Sequence, residues 1–148
     1  MRITQEADYA LRICAMLARC EQPVATPRIS AELFIPPRFA SKILRELMLA
    51  GLVKSTRGIN GGFSLAKNAS TISLRQIIES IDGKIAIRHC LMDDHNCNFQ
   101  KDKSKCRFHC VFEELNNMIV SRLELLTLSD MVDAEIPVSE LMDRLYRF

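Results

Sequence analysis

Residues 35–66, IPPRFASKILRELMLAGLVKSTRGINGGFSLA, decide the fold. Ile35-Pro36-Pro37 forces a turn, because a residue before proline is pushed out of the helical region. Pro37 then suits a first helical position, where a missing N–H costs nothing. The pattern predicts a helix over 37–50, closed by Gly51. Phe39, Ile43, Leu44 and Leu47 give it an apolar side, while Arg38, Ser41, Lys42 and Arg45 fall at i, i+3, i+4 and i+7 and share one face. A recognition helix needs that division: one side packs on its domain, and the other meets base edges and phosphates. An ordinary surface helix with solvated charges reads the same way until the residues beyond Gly51 are added.

Residues 52–56 and 63–66 read as two short strands, with Asn60-Gly61 as the hairpin turn signal between them. A wing after a recognition helix is the result. Arg57 and Gly58 stand at its entrance, where a guanidinium can enter a minor groove, and Lys54 lies nearer the phosphates.

Upstream, 4–20 reads as an amphipathic helix. Thr4 is its cap, Glu6 and Asp8 suit its positive end, and Ala7, Ala10, Leu11, Cys14, Leu17 and Ala18 form its apolar stripe. Thr26-Pro27 reads as an N-cap followed by proline, opening a short second helix that carries Arg28 and ends near Phe34. Downstream, 73–83 reads as a helix with Leu74, Ile77, Ile78 and Ile81 inward. Residues 105–127 carry Phe112, Leu115, Ile119, Leu123 and Leu126 at helical spacing. About twenty residues make a rod of roughly 30 Å, more than a small domain needs for its own core, so this is read as a dimerisation helix. Further short helices are expected over 127–132 and from Pro137 through Tyr146.

The segment between these helices is of another kind. It runs Cys90-LMDDHN-Cys97-NFQKDKSK-Cys106-RF-His109-Cys110, with four of the six cysteines and two of the three histidines in little apolar sequence. Thiolate and imidazole are the ligands of iron-sulfur clusters and of zinc. Lys101, Lys103, Lys105 and Arg107 bracket Cys106, and nearby positive charge favours thiolate. A helix starting near Ser104 would set Cys106, His109 and Cys110 on one face. His95 reads as solvated, and Cys14 and Cys20 as core or near-core thiols.

A chain of 148 residues suffices for one compact domain or a small domain with a dimerisation arm. With 48% apolar and 26% charged residues it has the balance of a soluble protein. No apolar run reaches a membrane span and the N-terminus has no signal-peptide character, so a cytoplasmic protein without membrane contact is expected. In a reducing compartment clustered cysteines point to metal or redox chemistry, not to disulfides. Residues 1–67 hold 10 Lys/Arg against 5 Asp/Glu and the remainder 10 against 13, so the anionic partner is sought in the first half. No nucleophile elbow, phosphate-cradling glycine loop or HExxH helix is present, and no enzymatic activity is expected.

The opening MRIT…DYALR, the segment Pro37-Arg38-Phe39…Ile43-Leu44…Leu47…Ala50-Gly51-Leu52-Val53 and the wing 55–66 resemble the iron-sulfur cluster regulator family. These are dimeric winged-helix bacterial regulators of the IscR, NsrR, RirA and CymR type, also called the Rrf2 family. The resemblance implies a mainly α fold with a small β-wing: a winged helix-turn-helix DNA-binding domain over 1–83, a cysteine-rich cluster-binding loop over 84–106, and a long dimerisation helix with C-terminal helices over 107–148. It implies a homodimer on a palindromic double-stranded DNA operator, repressing or activating according to the state of a [2Fe-2S] or [4Fe-4S] cluster.

Cys90, Cys97, Cys106 and His109 match the family's three cysteines and a histidine, and Asp8 matches an acidic ligand that some members supply from the partner subunit. Two departures stand out. The Cys97–Cys106 spacing is long for the family, and Cys110 falls where the family usually has no cysteine, so the fourth ligand is open among His109, Cys110 and Asp8. DNA contacts are expected from Arg28, Arg38, Ser41, Lys42, Arg45, Lys54, Arg57, Gly58, Asn60 and Gly61. Structural zinc, or a cofactor-free regulator that answers a metabolite or protein partner, is the alternative.

Overall fold

The computed structural model describes residues 3–92 and 97–146; the expectation for His95 lies outside them. Helix α1 (Gln5–Arg19) starts where the Thr4 hydroxyl accepts the Ala7 N–H at 3.2 Å, with Glu6 and Asp8 in its first turn. It buries Ala7, Ala10, Ile13, Cys14 and Leu17. Ile13 was no part of the expected stripe, whereas Leu11 and Ala18 are only half-buried. Burial pushes the Cys14 thiol up to about 12, so it is a neutral core group.

Helix α2 (Thr26–Leu33) corrects the expected cap: Ala25 is the N-cap, no side chain caps it, and Thr26 is already helical. Val24 exchanges hydrogen bonds with Phe63 of the wing at 2.8 and 2.9 Å, and this tether sets where the chain turns into the helix. The helix ends at Phe34, the sole non-glycine with positive φ among the described residues (φ 54°, ψ 40°). The left-handed region costs an L-residue roughly 1–2 kcal/mol, and Phe34 is 90% exposed, so its ring recovers little. Phe34→Gly is expected to raise stability by about 0.5–1 kcal/mol, less than the full strain because glycine loosens the unfolded chain. Urea unfolding with an unchanged slope and a higher midpoint would show it; an unmoved midpoint would mean the strain is absorbed elsewhere.

Helix α3 (Pro37–Leu49) follows directly and buries Ala40, Ile43, Leu44 and Leu47. Phe39, expected on that apolar side, is 41% exposed and stands edge-on to Tyr9 at 6.4 Å. The wing is β1 (Val53–Thr56) against β2 (Gly62–Leu65), antiparallel, with Thr56 opposite Gly62. Its turn differs from the expected Asn60-Gly61 form. The Gly61 N–H bonds the Gly58 carbonyl at 2.9 Å, so Ile59 and Asn60 are central, and Gly58 (φ 114°) supplies the left-handed backbone. Gly62 serves by close approach: a Cβ there would stand 2.6 Å from the Val24 backbone.

Helix α4 (Leu74–Asp82) begins with a Ser73–Gln76 capping box, buries Ile77 and Ile78, and stops at Gly83 (φ 75°). Leu74 and Ile81, also expected inward, are half-buried. Asp82 accepts the Thr4 N–H at 3.1 Å, pinning the start of α1 to the end of α4. Short 3-10 turns at His89–Leu91 and Lys103–Lys105 lead to α5 (Arg107–Leu125), α6 (Leu128–Val132) and α7 (Val138–Tyr146). The chain then returns to its first core. Leu128 donates to Ile72 O at 2.8 Å, Leu74 donates to Leu126 O at 2.9 Å, and Leu128 packs with Ile13, Leu44 and Ile77.

Thr127 caps α6 reciprocally with Asp130, which also pairs with Arg144 of α7 at 2.7 Å. Desolvation raises the Asp130 carboxyl, but the Thr127 and Arg144 bonds together outweigh it and hold it below the usual aspartate range. Its contribution is therefore present at neutral pH and lost as pH falls below that range. No helix among the described residues is long and apolar enough to cross a membrane.

Helix α5, about 28 Å long, departs from its expected face. His109 and Asn116 are its buried residues, Phe112, Ile119 and Leu123 are half-buried beside them, and Leu115 is 44% exposed. A second stripe of Phe108, Val111, Leu115, Met118 and Leu125 is exposed. The inward stripe is consumed by the protomer, and the outward one repeats at spacings of three, four, three and seven.

Candidate functional site

Two sites stand on this frame. The first is the outer face of α3 with the wing. Arg38, Ser41, Lys42 and Arg45 are all exposed on one side of a helix whose other side is core. Lys54, Arg57, Gly58 and Asn60 are exposed along β1 and the wing tip, and Gly61 is half-buried in the turn. Two of the cations carry intramolecular partners. Lys42 Nζ holds both carboxylate oxygens of Glu6 in α1, at 2.7 and 2.9 Å, and Arg28 pairs with Glu32 at 2.6 Å. Both pairs are half-exposed and of little worth to stability, so an approaching phosphate can compete for the cations.

The second site is a cavity of about 330 Å³ below the N-terminus of α5. Cys90, Cys97, Cys106 and His109 line it together, with Arg88, Phe99, Gln100, Lys103 and Phe108 completing the wall. Cys90 comes from the first 3-10 turn, Cys97 from the loop, Cys106 from the N-cap of α5, and His109 from its first turn. The backbone N–H groups of Gln100 and then Phe99 hold the Cys97 thiol below its ordinary range, helped by the charges of Arg88 and Lys103.

His109 is buried, and its Nδ1 finds no hydrogen-bond partner, while Glu113 Oε1 lies 3.8 Å from Nε2. An orphaned imidazole nitrogen beside three thiols is a donor set chemically suited to a thiophilic metal centre. No three His, Cys, Asp or Glu side chains among the described residues are gathered tightly enough to hold a metal ion.

Cys110 does not line the cavity, and Asp8 is expected as a ligand to the partner subunit's site, not to the one in its own chain. The expected common face of Cys106, His109 and Cys110 required all three to be helical, but Cys106 is an extended N-cap (φ −89°, ψ 105°). With that register broken, His109 turns inward and Cys110 is exposed, its Sγ donating to the carbonyls of Ser104 at 3.5 Å and Lys103 at 3.9 Å. Asp8 is held by Arg12 at 2.7 Å. Arg88, Phe99, Gln100 and Phe108 were missed by a reading centred on ligand residues; the nearness of an Arg to the first cysteine was the available signal.

Comparison with known proteins agrees with this architecture. The model of the Rrf2 family, described as iron-dependent transcriptional regulators, matches residues 3–134. An rrf2-like HTH-type transcriptional regulator of Rhodobacter capsulatus is 35% identical over 148 residues, spanning 95% of this chain and 99% of that protein. The HTH-type transcriptional regulator IscR of Yersinia pseudotuberculosis is 29% identical over 97% of this chain and 86% of its own. Among solved structures, CymR, the global cysteine regulator of B. subtilis, superposes with a TM-score of 0.71 at 24% identity, covering 89% of this chain and 96% of CymR. T. potens IscR gives 0.69 at 25% identity, covering 89% and 86%. The helix-turn-helix, the two-stranded wing and the match along most of the chain lead to one conclusion: this chain is a winged-helix, DNA-binding transcriptional regulator of the Rrf2 family.

Proposed function

We propose that the protein is a homodimeric regulator whose affinity for a palindromic operator is set by an iron-sulfur cluster held by Cys90, Cys97, Cys106 and His109. The observation that carries this reading is that these four donors line one cavity, with His109 Nδ1 buried and unpartnered. Zinc takes the same thiolate and imidazole donors, and the match to a family described as iron-dependent favours the cluster. When bound, such a cluster supplies a redox-responsive centre whose loss or alteration by oxygen, nitric oxide or iron scarcity is the signal. Lys103 and Arg88 offset thiolate charge, and Cys110 stays outside the ligand set.

In this reading residues 1–83 bind DNA, 84–106 with His109 of α5 hold the cluster, and 107–148 dimerise through the outward stripe of α5. Ordering the segment ahead of α5 sets the separation of the two recognition helices, which must match half-sites about 34 Å apart. The test is anaerobic purification with a visible spectrum and iron, sulfide and zinc analysis, followed by operator titration of holo and apo protein at one salt concentration. A brown protein whose apo form binds differently is expected. A colourless zinc protein, or equal binding by both forms, would overturn the reading.

The Glu6–Lys42 pair gives a second expectation for the DNA interface. Glu6→Gln frees Lys42 for a phosphate, so random DNA is bound more tightly and the slope of log affinity against log salt steepens by about one. An unchanged slope would mean that Lys42 stays clear of the backbone.

A further inference from the structure

One face of α5 takes hold of the chain just ahead of Cys90. Phe108, Phe112 and Asn116 are four residues apart and share that face. The buried Asn116 accepts the Ile87 N–H through Oδ1 at 3.0 Å and donates through Nδ2 to the Ile85 carbonyl at 3.2 Å, bracing a backbone that belongs to no helix or strand. At the next position, Arg88 lays its guanidinium over both rings, Cζ standing 5.6 Å from the Phe108 centroid and 5.3 Å from that of Phe112. The same side chain lines the cysteine cavity. A planar guanidinium can stack and present charge at once, which an ammonium does less well. Phe108 is 59% exposed and belongs to the outward stripe of α5, so a ring that holds Arg88 also faces the surface read above as the dimer contact.

We infer that Arg88 is a positioning residue: its charge favours the more negative state of a cluster in the cavity, and its stacking on Phe108 and Phe112 passes a change in that state to α5. The inference rests on the cluster reading above. One electron from an external one-electron reductant makes the cluster one unit more negative. No bond to Arg88 forms or breaks, and the guanidinium keeps its proton throughout.

The test uses the full-length protein reconstituted anaerobically with iron and sulfide, as wild type, Arg88→Met and Arg88→Lys, titrated optically with redox mediators. In Arg88→Met the equilibrium constant for reduction should fall about tenfold, a midpoint about 59 mV more negative for a one-electron couple. Arg88→Lys keeps the charge and weakens the stack, so its midpoint should stay near wild type while the apo-to-holo difference in dimer dissociation, read by sedimentation, narrows. A loaded Arg88→Met with an unmoved midpoint overturns the role of Arg88 and leaves the cluster reading intact. Wild type that takes up no iron and sulfide overturns both. Should Arg88→Met fail to load, Arg88→Lys decides: a narrowed apo-to-holo difference in dimer dissociation supports the inference, and an unchanged one overturns it.

Discussion

Anaerobically reconstituted Cys90→Ala, Cys97→Ala and Cys106→Ala are each expected to lose the visible absorbance of the wild-type protein, whereas Cys110→Ala keeps it. The contrast follows from placement. The first three thiols line one cavity, while the Cys110 sulfur points to the carbonyls of Ser104 and Lys103 outside it. Loss of a direct ligand should exceed the 10–100-fold loss of metal affinity typical of an outer-shell change, so bound iron per protomer should fall at least tenfold. Apoprotein stability should barely move for Cys97→Ala and Cys106→Ala, because neither thiol is fully buried or in the core. The stability lost should be the part that cluster binding adds. Retention of colour in Cys106→Ala together with its loss in Cys110→Ala would reverse the assignment of the ligand set.

Leu115→Glu is expected to dissociate the dimer proposed above and, with it, operator binding. Leu115 sits mid-way along the exposed stripe of Phe108, Val111, Leu115, Met118 and Leu125, where a two-fold axis would bring it close to its own copy. Two buried like charges cost several kcal/mol, so the dimer dissociation constant should rise at least about a hundredfold. Leu115 lies outside the protomer's core, and the circular dichroism and unfolding of the monomer should stay near wild type. Ile119→Glu, on the half-buried inner face, should instead lower stability itself. A Leu115→Glu protein that sediments as wild type would move the dimer contact away from this stripe.

The winged helix was legible because punctuation marks it. Pro36-Pro37, Gly51 and the glycines of 58–62 each do a backbone job that few other residues can, and the basic face of α3 has a helical period. What escaped lies in pairings distant in sequence. Val24 belongs with Phe63, Lys42 with Glu6 and Asn116 with Ile85 and Ile87, and no local period records such contacts. On α5 two apolar stripes share one helix, so Leu115 fits either by spacing, and only packing tells the inner from the outer. The four cavity donors were readable from their chemistry. The exclusion of Cys110 from the cavity was not, because the helix begins at Arg107 and not near Ser104, which leaves Cys106 extended at its start.

The return of Leu128 to the N-terminal core makes everything between α4 and α6 an excursion tied at its neck, closed by the Ile72–Leu128 and Leu74–Leu126 hydrogen bonds. Such a tie decouples length from fold: each doubling of a flexible loop adds only about 0.6 kcal/mol of closure entropy. The eight residues between Cys97 and Cys106 therefore sit where added length costs little. The segment can lengthen or shorten here while the N-terminal half keeps its shape, and a backbone cut inside the excursion leaves both pieces anchored to the same core.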